Sequence, residues 1–324
     1  MMLQTAVIAS LLNSVMARVD PPPGSIQGAI FFTDLHSKDL MRLGNCGSAG
    51  CGKPVTIATG LETYGGLLPW NDGLLVAVKD LLVVQVDPWC QNNSCPVLPL
   101  VDVKRALGLG DNESVNLGGL ARCHDSLYIV FGGQFAASGV LRCIGCSLRH
   151  DCTPRCSLVD GGSKPGKGPD QLSGFAAGIT CLGDHVLVTD NANFRVQSIP
   201  VGCARPPCDV GTFSSGLKWP LGIVAVDGGK HVLVTLDDGI VSFRPDGTMR
   251  RDNWSIRQDS GFLCEGDEGR ILVASGGDGN IVSLDPACEG PNCGEVVVWN
   301  STGSSAKSGS AIAYMPYPME FLTV

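Results

Sequence analysis

Strongly basic stretches are missing from this chain. No run of Lys or Arg is longer than the pair Arg250–Arg251, and the formal net charge is −8 with a pI near 5.1. Such a surface is unsuited to a phosphate backbone, so nucleic acid is excluded as an expected partner. Charge of either sign is scarce, at 17% of residues. Beyond the apolar stretch Met1–Ala17, no run reaches 18 apolar residues, and no transmembrane segment is expected. Helical periodicity is absent too. The apolar residues alternate with period 2, which excludes a helical solenoid. No nucleophile elbow, P-loop or H-E-x-x-H motif occurs.

Glycine, proline and cysteine are plentiful instead, at 43, 20 and 15 residues. Gly and Pro in these numbers suit many short strands joined by tight turns. At 324 residues the chain exceeds the usual single core, yet all-β rings of this length are commonly one domain.

The pattern is clearest from Ala177 to Phe213. A Gly-led apolar strand, Gly178–Cys181, is followed by alternating His185–Thr189, then Phe194–Val201, then Asp209–Phe213. Four short strands in so few residues cannot bury their own faces and need copies to pack against. Copies are present at Trp219–Asp246, which repeats HVLVT, at Ser260–Ala287, at Gly65–Pro88 and more loosely at Gly118–Cys143. A unit of roughly 40–50 residues with four strands and no helix is the signature of a propeller blade. The first unit, at Gly28–Leu43, lacks a leading strand, and Ser310–Met315 has the form of one. The expectation is therefore an all-β, six-bladed β-propeller of four-stranded antiparallel blades, its ring closed by strands from both chain ends. Met319–Val324 resembles a further second strand and leaves room for a seventh blade. Asp102–Leu107 is expected to form a short helix in a loop.

The segment Val188–Gln197, VTDNANFRVQ, preceded by a Gly-Ile strand, resembles the NHL repeat of six-bladed propellers. These belong with the broader TolB-like group that includes the regucalcin/gluconolactonase type. The resemblance implies the six-bladed architecture. For the hydrolases of that group it also implies a divalent metal in the central channel, held by Glu, Asn and Asp of the inner strands. The chain departs from the repeat at Thr235–Ile240, which lacks the Arg that Arg195 supplies beside Asp190 and Asn193.

Met1–Ala17 has the length and small terminal residue of a signal peptide, with a disordered or strand-forming N-terminus as the alternative. Residues 18–324 then form a single propeller domain. Sequons at Asn92, Asn112, Asn253 and Asn300 fall in loops or at strand ends and are candidate glycosylation sites. Together with the cysteine content they point to a secreted, extracellular protein.

Cys46/Cys51, Cys90/Cys95, Cys203/Cys208 and Cys288/Cys293 each enclose four residues between a third and a fourth strand. Flanking a hairpin, each pair is placed for a disulfide. Zinc would need two pairs from separate blades to converge. In the third blade, nested bridges Cys143–Cys156 and Cys146–Cys152 fit a longer hairpin, with a four-cysteine zinc site as the alternative. Cys123, Cys181 and Cys264 end the first strands of their blades and read as buried thiols. Three is odd, so at least one is free or pairs with another chain.

The inner strands show no convergent carboxylates, and no cofactor is expected. His185 and His231 share one repeat position, which favours a structural role. Asp190 and Arg195 read as a bond that stabilises a turn. Thr63, Asn116, Phe175, Trp219, Gln258 and Lys307 each lie three residues before an aligned inner strand. Ring symmetry would gather them at one mouth of the channel as a binding rim. The alternative for Phe175 and Trp219 is packing between blades. The functional expectation is a non-enzymatic module that binds extracellular protein or glycan. Its alternative is a metal-dependent hydrolase of the regucalcin/lactonase type with a channel Ca2+ or Zn2+.

Overall fold

The computed structural model describes residues 28–316 except 35, 45, 47–50, 64, 91–94, 111–112, 134–136, 148–149, 163–164, 169, 205, 207, 255–259, 276–278, 287–294 and 302–307. For residues 250–254, 260 and 308–310 the backbone alone is described. The expected segments Met1–Ala17 and Met319–Val324 lie outside these residues.

Six four-stranded antiparallel sheets form the molecule. Blade 4 consists of Ala176–Leu182, His185–Asp190, Arg195–Pro200 and Gly211–Ser215. Blade 5 consists of Ile223–Val226, His231–Leu236, Gly239–Phe243 and Met249–Trp254. Each inner strand touches the next all the way round, so the ring closes at six blades. Blade 1 is completed as expected: Ser308–Pro316 lies beside Gly28–Asp34, with Tyr314 opposite Ile30 and Ile312 opposite Phe32. The short helix is Val103–Leu107, capped by the Asp102 carboxylate, which accepts the Arg105 N–H at 2.9 Å.

The core is divided among the gaps between blades. Val186 and Val188 face blade 3, packing with Tyr128 and Val130, while Leu187 faces blade 5, packing with Val232 and Val234. Both faces of each sheet are thus covered, which is why the second strands read as nearly unbroken apolar runs.

The repeated threonine of HVLVT joins one blade to the next. Thr189 Oγ1 accepts the Gly178 N–H at 2.7 Å and donates to the Leu221 carbonyl of blade 5 at 2.6 Å. Thr235 Oγ1 likewise accepts from Gly222 at 2.7 Å and donates to Gly261 of blade 6 at 2.9 Å. Inner strands held this close leave no room for a side chain: a Cβ on Gly178 would lie 2.4 Å from the Leu221 carbonyl oxygen. Blade 6 breaks the rule. Leu263 pairs with Val273 as Ile223 pairs with Val234. Phe262, and not Gly261, therefore occupies the place of Gly222, one residue away from the sequence alignment.

Disulfides Cys46–Cys51, Cys90–Cys95, Cys143–Cys156, Cys146–Cys152 and Cys203–Cys208 form as expected, the nested pair included. Cys288 and Cys293 lie outside the described residues. The expectation of three unpaired thiols is corrected. Cys123 and Cys181 form a disulfide across blades 3 and 4, with Cα atoms 5.4 Å apart. Both belong to the apolar layer between those blades, and inter-blade packing is what brings their inner strands together. Cys264 stays a thiol, and burial pushes its pKa up, away from the reactive thiolate.

Candidate functional site

The inner strands run parallel around the axis, so the loops that lead into them share one face, here the upper face, with the turns joining second to third strands. Four of the expected rim residues can be placed there. Thr63 is half-buried and its hydroxyl accepts the Gly65 N–H at 3.3 Å. Asn116 is exposed at the first position of Asn116–Cys123. Phe175 and Trp219 are 50% and 48% exposed, so neither is buried between blades. Gln258 and Lys307 lie outside the described residues. Among the sequons, Asn300 is exposed just beyond Val296–Trp299, and Asn253 lies in the strand Met249–Trp254. Asn92 and Asn112 lie outside the described residues.

Phe194 was not singled out in the sequence. It is 45% exposed, and its ring meets Trp219 edge to face with centroids 5.8 Å apart. Both residues have left-handed backbone, with φ of 57° at Phe194 and 47° at Trp219. That conformation costs an L-residue about 1–2 kcal/mol, and a half-exposed ring recovers only part of what full burial would return. The sequence signal was positional: Phe194 sits between Asn193 and Arg195 in the turn, where it reads as the start of a strand.

Directly beneath lies the Asp190 cluster. Asp190 is fully buried; one oxygen accepts the Ser173 N–H at 2.8 Å, the other Asn193 Nδ2 at 2.8 Å and Arg195 Nε at 2.9 Å. Arg195 continues to the carbonyls of Gly168 and Gln171 at 2.8 and 2.7 Å, and Asn193 to that of Gly166 at 2.7 Å. The turn residues therefore fasten the loop that connects blade 3 to blade 4, beyond the single turn expected. Asn191 donates to the Pro220 carbonyl at 3.2 Å, tying the same turn to the segment that carries Trp219. The two aromatic rings are thus mounted on a rigid base.

Asp160, on the outer strand of blade 3, is also buried, and burial raises its pKa to about 6, with Asp170 and Asp190 adding to the rise. Its Oδ1 accepts the Gly161 N–H at 2.8 Å. A carboxyl that holds its proton more tightly when folded favours the fold below its unfolded pKa. That benefit disappears as the pH rises through about 6. Asp160→Asn is accordingly expected to stabilise the protein by about 1–3 kcal/mol at pH 7.5 and by almost nothing at pH 4. Urea unfolding at both pH values checks this; equal effects at both would contradict it.

The central channel holds a cavity of about 280 Å³, reached by all six inner strands through residues such as Leu68, Ala121, Thr180, Val224, Phe262 and Tyr314. Among the described residues, no three His, Cys, Asp or Glu side chains lie together in a way that could hold a metal ion. No described helix is long and apolar enough to cross a membrane.

No protein-family model and no curated protein sequence matches the chain. Solved structures do. The crystal structure of a nidogen/laminin complex contains a chain of TM-score 0.62 and 10% identity, with 88% of this chain and 98% of that one covered. The fold alone is shared. A protein of unknown function from Bacteroides caccae gives TM-score 0.57 at 11% identity over 90% of this chain and 100% of that one. Streptogramin B lyase gives 0.51 at 12% over 82% and 81%. At 10–12% identity these likenesses extend to the fold and no further.

Proposed function

We propose that the protein is a secreted binding module that recognises an extracellular protein or glycan with its upper face, centred on Phe194 and Trp219. The observation that carries this reading is the pair of half-exposed aromatic rings in left-handed backbone, held against each other on the Asp190 base. Strained residues whose large side chains stay half-exposed are expected where function requires them. Aromatic side chains deliver large contact area with little conformational entropy to lose, and they anchor interfaces. The exposed ion pair of Lys218 with Asp238, at 2.8 Å, supplies a polar border beside Trp219. The disulfides support an oxidising, extracellular setting. The nidogen structure was solved as a complex with laminin, and a protein partner is a natural reading of the same fold.

Binding to arrays of extracellular proteins and glycans identifies the ligand. Trp219→Ala or Phe194→Ala should then weaken binding at least tenfold, in the range of interface hot spots. The lower-face control Lys230→Ala should leave it unchanged. Unchanged binding by both aromatic variants, with the fold intact, rejects the assignment.

A further inference from the structure

We propose that the lower end of the central channel is a binding site for a small zwitterion of amino-acid or dipeptide size, with Arg122 taking its carboxylate and Glu265 its ammonium group. This site is separate from the aromatic surface on the upper face.

Arg122 belongs to blade 3 and Glu265 to blade 6, opposite blades in a ring of six. They stand at equal height: Arg122 is two residues beyond Leu120, which pairs with Ile129, and Glu265 is two beyond Leu263, which pairs with Val273. Both line the same cavity of about 280 Å³. One cation and one anion therefore border the same cavity from opposite blades, and no direct ion pair joins them.

Each group is held yet incompletely used. The Arg122 guanidinium lies 4.9 Å over the Trp70 ring, with Nε donating to the His124 carbonyl at 3.3 Å and Nη1 to Asn71 Oδ1 at 3.4 Å. Its Nη2 has no partner among the described residues. Glu265 Oε1 accepts the Asp227 N–H at 3.2 Å, and Oε2 has none among them. Stacking and hydrogen bonds thus fix the two heads while leaving a donor pair and an acceptor for a ligand. Between them the wall carries the apolar Leu68 and Val224 and the ring of Tyr314, and the Thr180 hydroxyl accepts the Ala225 N–H at 3.1 Å.

Phe262 limits the site from above. Its ring reaches the inner side of blade 2, where a Cβ on Gly65 would lie 2.2 Å from Cζ. Four other blades have glycine at the place of Phe262, at Gly66, Gly119, Gly178 and Gly222. The cavity sits at the small end of ligand pockets, which span roughly 300–1,000 Å³, so a compact ligand is selected.

The test is calorimetric titration of the full chain with L-leucine and Gly-Leu, against N-acetyl-leucine and leucine amide, which each lack one charge. Saturable binding of at least one zwitterion is expected, tenfold or more weaker for both single-charge analogues. Arg122→Gln and Glu265→Gln should each cause a similar loss, with partial recovery in Arg122→Lys, and Trp219→Ala should change nothing. Neither zwitterion binding, equal binding of the analogues, or indifference to both glutamine variants overturns the proposal. The last substitution also keeps this outcome distinct from that of the upper face.

Discussion

Asp190→Ala should destabilise the protein by about 3–5 kcal/mol, the cost of stranding one member of a buried ion pair. The carboxylate is fully buried and Arg195 keeps only 13% side-chain exposure, so neither charge has water to fall back on. Three donors lose their acceptor or counter-ion at once: the Ser173 N–H, Asn193 Nδ2 and the Arg195 guanidinium, with the loop that Arg195 grips at Gly168 and Gln171 loosened in turn. Asp190→Asn retains one acceptor oxygen and should fall between the wild-type protein and Asp190→Ala. Urea titration with an unchanged slope measures the difference. A loss below about 1 kcal/mol would mean that the cluster is ornamental, and the rigid base under Phe194 and Trp219 would have to be abandoned.

The second large effect concerns the bond between blades. Replacing Cys123 and Cys181 together by Ser opens a loop of 58 residues, worth about 4 kcal/mol by the chain-entropy relation. The same replacement at Cys203 and Cys208 opens a loop of five, worth about 2 kcal/mol. The ratio is the discriminating quantity, because both pairs remove the same chemistry. Denaturation of the two double variants without reductant should rank them in that order. Equal losses would show that native geometry, and not closure of the long segment, sets the stabilisation.

Much of the architecture could be read directly from the residues. The alternation in His185–Thr189, its echo in the second strand of blade 5 and the leading-strand form of Ser310–Met315 are local signals, and local signals define blades. Hairpin cysteines were legible for the same reason: partners five residues apart meet whatever surrounds them. The Cys123–Cys181 bond was not legible, because it depends on how two sheets pack, and each cysteine stands alone at the end of the first strand of its own repeat. Phe262 was obscured by a bulge. Aligned on Gly261 it appears one place late, and the ladder with Val273 alone shows that it fills a glycine position. The upper face was half seen. Symmetry drawn from the inner strands picks out Phe175 and Trp219, both exposed, whereas Phe194 lies in the turn of its own blade, which that symmetry does not sample. Arg122 and Glu265 escaped notice because opposition across a channel is a property of the ring, invisible in any one repeat.

Blade 1 is assembled from both extremes of the ring, Gly28 lying opposite Pro316. During synthesis its first three strands must wait, with an open margin, until the final inner strand has been made. Until that moment the sheet offers an unpaired edge to any extended chain nearby, and every other blade can already be in place. Completion is then a single late event of very long sequence separation, a step of high contact order. A circular permutant opened in the lower-face turn at Asp184, with blade 1 made continuous, would move that vulnerable interval from blade 1 to blade 4.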